Sequence, residues 1–150
     1  MKNAFLLSLF ITAVASYSYG QDVIPDNKTR QEMYSIIDKY SQAREKRDTL
    51  LLKSILTKDV DQLVSTGEWR NGIDASVKGM LNSSANSPGT RTLNVEKIRL
   101  LNPGIAIVDC KYEIQNADGT PRKMWSTFMV VSAQGIWKIS AIRNMLPTGQ

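Results

Sequence analysis

The C-terminal stretch from residue 90 constrains the fold most. There the chain alternates apolar and polar residues and is interrupted only by short turn signals. Asn102-Pro-Gly104, Asn116-Ala-Asp-Gly119 and Ala133-Gln-Gly135 divide it into segments 90–101, 105–115, 123–132 and 136–145. Period-two alternation fits half-buried strands, and Asp-Gly supplies the positive φ that a tight hairpin needs. Connections this short cannot carry a parallel crossover, so the four strands are predicted to form an antiparallel meander. Parity gives that sheet two faces. Val108, Cys110, Tyr112 and Ile114 share one side of the second strand, opposite Asp109, Lys111 and Glu113. On the fourth strand, Trp137, Ile139, Ala141 and Arg143 oppose Lys138, Ser140 and Ile142, and Asn144 falls on the outer face.

The apolar side needs a cover, and the preceding residues supply helices. Thr29-Arg-Gln-Glu32 has the pattern of a capping box. Met33, Ile36, Ile37, Tyr40 and Ala43 follow at helical spacing, which predicts a helix to about Lys46. Asp48 is placed to cap a shorter helix carrying Leu51, Leu52, Ile55 and Leu56. Residues 61–66 have brief strand character, and 67–72 read as a turn-rich link holding Trp69. A third helix, capped by Asn71, carries Ile73, Val77, Met80 and Leu81, and residues 82–89 end it as a loop. Helices first and strands after is the α+β pattern: three N-terminal helices on a curved antiparallel sheet.

The N-terminus reads as an export signal. Met1-Lys2-Asn3 is short and basic, residues 4–15 are apolar, and Ser18 and Gly20 are the small residues before a cut. The expected organisation is a signal peptide at 1–20, an N-terminal arm at 21–29 and one domain at 30–150, in a periplasmic or secreted protein. The apolar core of the signal is shorter than the roughly 20 residues a spanning helix needs, so no stable membrane insertion is expected after cleavage. The chain has 19 basic and 14 acidic residues. Its densest basic run, Arg44-Glu45-Lys46-Arg47-Asp48, is diluted with acids and reads as a solvated helix end, so no nucleic-acid partner is expected. There is no histidine and one cysteine, Cys110. That excludes histidine triads and intrachain disulfides and argues against a metal site or cofactor. Cys110 lies within an apolar strand and reads as a small buried hydrophobe.

Three local patterns then point to a known superfamily. Ala43 and Asp48, with Leu50 to Leu56 behind them, resemble the entry to the second helix of NTF2-like (cystatin-cone) proteins. Gly72 to Leu81 resembles their third helix, and Gly135-Ile-Trp-Lys-Ile139 the final strand of SnoaL-like and DUF4440-type members. The resemblance covers about residues 30–147. It implies a cone open at one end and an apolar pocket within it. The superfamily's enzymes place a carboxylate and a Tyr or Asp donor there.

Six residues are candidates for lining such a pocket: Tyr40, Trp69, Arg70, Tyr112, Trp125 and Arg143. Tyr40 and Tyr112 share apolar faces, with a core tyrosine as the competing reading. Trp69 and Arg70 sit where pockets of this superfamily open, and Arg143 has inward parity and a fork suited to a carboxylate or phosphate. No acid falls at an inward central position, since Asp109, Glu113 and Glu96 face away. Asp61 and Asp74 at the rim remain possible bases. The expectation is an exported protein that binds a small apolar or amphipathic ligand, has no clear catalytic residue, and forms a homodimer through its sheet face. Two alternatives stand beside it: an isomerase, cyclase or dehydratase using Tyr40 or Tyr112 with a rim acid, and a protein-interaction domain acting through the sheet.

Overall fold

A computed structural model describes residues 24–86 and 89–147. The predicted signal peptide at 1–20 lies outside the described residues.

Helix α1 spans Asn27–Glu45 and buries Met33, Ile36, Ile37, Tyr40 and Ala43, the face the spacing predicts. Its cap is Asp26, whose Oδ1 accepts from the Thr29 amide at 2.7 Å. The expected capping box is therefore absent. Glu32 is engaged elsewhere: its Oε2 accepts from the Trp137 indole at 2.8 Å, which ties the first turn of α1 to the sheet. At the other end Asp48 N–H donates to the Ala43 carbonyl (2.8 Å), and Arg47 turns left-handed at φ 54°. That is a Schellman closure with Arg where Gly is usual. Helix α2, Thr49–Ile55, has the expected cap, with the Leu51 amide donating to Asp48 Oδ1 at 2.9 Å.

Leu56 leaves α2 directly into strand β1, Leu56–Leu63. The predicted turn link contains a short strand β2, Trp69–Asn71, antiparallel to β1. Asn71 pairs with Asp61 there, and the Gly72 carbonyl accepts the first bond of the next helix from Ser76 N–H (3.1 Å). Helix α3 runs Ile73–Asn86, past the predicted stop at Leu81. Its last carbonyls are held from outside: Ser83 O accepts from Arg91 and Ser84 O from Arg47. These tertiary donors keep residues 82–86 helical where local sequence suggests a loop.

Strands β3 (Gly89–Asn102), β4 (Ile105–Asn116), β5 (Pro121–Ala133) and β6 (Ile136–Met145) form the predicted meander. The six-stranded sheet has the order β2-β1-β6-β5-β4-β3, with β1 parallel to β6. The helices cover one face. Phe128 lies at the centre of the core, with the ring of Tyr40 against it in a T-shaped pair at 5.1 Å. Burying a side chain of that size contributes about 1.5–3 kcal/mol.

One irregularity decides what the last strand presents. Val130 pairs with Ile139 but Met129 pairs with Ala141, so Ser140 is an extra residue, a β-bulge. Beyond it the parity of β6 reverses. Ile142 is buried and Asn144 turns toward the helices, whereas Ala141 and Arg143 face outward. The predicted facing of Ile142, Arg143 and Asn144 is thereby inverted.

Candidate functional site

A cavity of about 590 Å³ opens between α3, the β1–β2 connection and the neighbouring ends of β4, β5 and β6. Its buried lining includes Arg44 from α1, Gln62 from β1 and Tyr112 and Ile114 from β4. Arg122 at the start of β5 and Asn144 on β6 complete the sheet side. Arg70, Glu68 and Trp69 form one edge, and Lys78, Gly79 and Ser83 of α3 the opposite wall.

Charge dominates this space. The lining carries four basic side chains, Arg44, Arg70, Lys78 and Arg122, and one acidic, Glu68. Arg44 is only 8% exposed. Its Nη1 donates to the Tyr40 hydroxyl at 3.3 Å and its Nη2 to Ser83 Oγ at 3.2 Å. Among the described residues its Nε is buried without a hydrogen-bond partner, and Tyr112 lies beside the guanidinium. Burial by itself would lower the pKa of Arg44, but the neighbouring Tyr40 and Tyr112 outweigh it and hold the guanidinium charged. Arg122 Nη2 donates to Ser65 Oγ at 2.6 Å. Arg70 Nε meets Glu68 Oε1 at 3.1 Å, and a Cβ on Gly79 would run into the Arg70 side chain, so glycine lets Arg70 lie flat on α3. On the sheet side, Ser126 Oγ donates to Asn144 Oδ1 at 2.6 Å and fixes that amide.

The six expected pocket residues divide. Tyr112, Arg70 and Trp69 line the cavity. Tyr40 stands behind it, holding Arg44. Trp125 and Arg143 are on the other face of the sheet. Trp125 lies beside Lys111, whose ammonium is 5.8 Å from the ring centroid. Arg143 donates to Asp61 Oδ1 at 2.7 Å and stacks over Trp69 at 4.8 Å, an exterior cluster created by the bulge. Of the two rim acids, Asp61 is bound by Arg143 and Asp74 pairs with Lys53 at 3.0 Å on the surface. Neither lines the cavity.

Arg44, Gln62, Arg122 and Asn144 are among the lining residues that escape the sequence reading. Arg44 belongs to the basic run taken for a solvated helix end, and its neighbours Glu45, Lys46 and Arg47 are indeed exposed. One available signal is the helical spacing Tyr40–Arg44, which continues the apolar stripe of α1. Cys110 is fully buried, and desolvation, with the charges of Asp109 and Glu96 behind it, pushes its thiol up to about 12. Among the described residues no three His, Cys, Asp or Glu side chains converge as a metal site would require. No helix there is long and apolar enough to cross a membrane.

Comparison with known structures places this architecture. The chain has the NTF2-like, or cystatin-like, fold. It superposes on an NTF2-like protein of unknown function from Shewanella oneidensis with TM-score 0.63 and 15% identity, covering 78% of this chain and 98% of that one. A domain of unknown function with a cystatin-like fold from Nostoc punctiforme gives TM-score 0.74 and 11% identity, covering 83% and 81%. An NTF2-like protein from Novosphingobium aromaticivorans gives 0.71 and 15%, covering 82% and 84%. No protein-family model and no curated protein sequence matches the chain.

Proposed function

We propose that this chain is an exported NTF2-like protein of the SnoaL-like or DUF4440-type branch, which binds a small amphipathic molecule in its cone and performs no chemistry on it. The observation that carries this reading is the cavity of about 590 Å³, whose lining combines polar side chains such as Arg44, Gln62 and Asn144 with the apolar Val64 and Ile114. Its volume is that of a site for one small organic ligand. Catalysis in such a cone needs an enclosed acid or base tuned by apolar surroundings. The one carboxylate in the lining, Glu68, is 60% exposed and already engaged with Arg70.

Native mass spectrometry of the protein purified from its own host tests this. A small molecule retained by the folded protein and recovered unaltered is the expected result. Finding no adduct would overturn the binding reading. Turnover of the retained molecule, abolished by Tyr112→Phe, would replace it with the isomerase, cyclase or dehydratase alternative, because Tyr112 is the tyrosine that lines the cavity.

The proposal includes a second copy of the chain on the outer sheet face. Trp125, Met129 and Met145 are each more than a third exposed there, on adjacent strands, and Ile107 and Val131 share that face with the polar Asp109 and Thr127. Trp125 pairs with Met145 across β5–β6, so the apolar groups form a patch and are not scattered.

A further inference from the structure

The cavity's charge goes further than its volume. A buried guanidinium is costly unless it is paired and hydrogen-bonded. Arg44 is nine-tenths buried, and its neighbours are the hydroxyls of Tyr40 and Ser83, the Tyr40 ring and Tyr112, with no carboxylate paired to it among the described residues. It uses two of the five N–H donors an arginine carries. Arg122 uses one, on Ser65. Arg70 uses one, its Nε on Glu68, which leaves both Nη atoms without a hydrogen bond among the described residues. Tyr112, beside Arg44, belongs to the same lining. These groups come from α1, β2, β4 and β5, four separate elements that converge on this cavity. Structural arginines in a core are normally balanced by a carboxylate, and Arg44 and Arg122 make no ion pair among the described residues.

Resting on the ligand-binding reading, we infer that the cavity selects molecules with an oxyanion head, a carboxylate or a phosphate, held by Arg44, Arg70 and Arg122. A planar fork facing an oxyanion makes paired, charge-assisted hydrogen bonds, which are the strong and orienting kind. Val64, Ile114 and Ala75 supply apolar wall for the rest of the molecule. Lys78, exposed at the rim, raises the local positive potential and favours capture of an anion from solution.

The test is calorimetric titration of the purified protein at low salt with benzoate, phenyl phosphate and neutral benzamide. At least one anion is expected to bind roughly tenfold or more tighter than benzamide, and to weaken as salt is added. The stronger of the two anions identifies the head group. Arg122→Gln, at a half-buried position outside the main core, is expected to weaken that anion roughly tenfold while leaving benzamide unchanged. Arg44→Met, which replaces an unbalanced buried charge by an apolar chain of similar reach, is expected to do the same. Benzamide binding as tightly as both anions, or Arg122→Gln leaving anion affinity intact, overturns the inference while the cavity remains a ligand site. A neutral molecule retained in the native mass spectrum has the same consequence. If none of the three probes binds, the oxyanion selectivity falls, and the retained-adduct experiment decides the binding reading separately.

Discussion

Gly79 fixes the position of Arg70, and a methyl group there tests the arrangement. Alanine is favoured over glycine inside a helix by about 1 kcal/mol. Its Cβ would nevertheless occupy space now taken by the Arg70 side chain, whose far end is flexible and can move away. Gly79→Ala is therefore expected to keep its stability within about 1 kcal/mol in urea denaturation. The same variant should lose anion affinity in titration, because Arg70 is lifted off α3. Cys110 gives a second prediction. The folded protein holds the thiol proton more tightly than the unfolded chain, with a pKa of about 12 against the usual 9.0. The stability linked to this group is therefore intact below pH 9.0 and erodes as pH rises from there toward about 12. At pH 8 a thiol reagent should label Cys110 only in denaturant, and labelling of the native protein would contradict its burial. Sequence was informative unevenly at this scale. Period-two parity suffices to put Tyr112 on the covered face, because β4 is regular. It fails for Arg143 and Asn144 because the bulge at Ser140 lies between them and the start of β6. Arg44 was hidden by exposed charged neighbours, since composition averages over residues that point in different directions.

The elements whose ends are set locally are the ones legible in sequence. Asp48 caps α2 as its side chain predicts, and the turns at 102–104 and 133–135 separate strands where the sequence places them. The β5–β6 turn also shows a local conflict. Gln134 and Gly135 have φ of 54° and 77°, the pair of positive values a type I′ turn demands. Glutamine is poorly suited to the first of them. Gln134→Asn is expected to raise stability by about 0.5–1 kcal/mol, and Gly135→Ala to lower it by a similar amount, both read from denaturant midpoints. Elements held by distant partners were not legible. β1 lies parallel to β6 across about eighty residues of chain, and no local pattern encodes that pairing. The last turn of α3 likewise depends on donors from Arg47 and Arg91.

For the molecule as a whole, the two faces of the sheet carry different expectations. The covered face makes the core and cavity, and the outer face carries the apolar patch around Trp125, Met129 and Met145. If that patch seats a second copy, Met129→Lys should convert a dimer into a monomer in sedimentation velocity without changing the circular dichroism. A monomer before and after the change would exclude the sheet face as an association surface. The bulge at Ser140 bears on both faces together. Because strand sides alternate, removing that one residue would exchange the end of β6 between interior and exterior. Arg143 would enter the chamber and leave Asp61 and Trp69 without their partner, while Asn144 would face outward and leave Ser126 without its acceptor. A one-codon deletion would thus rewrite the chamber's chemistry and its outer surface at once. Divergence among proteins of this shape has in such a step a route that no series of point substitutions retraces.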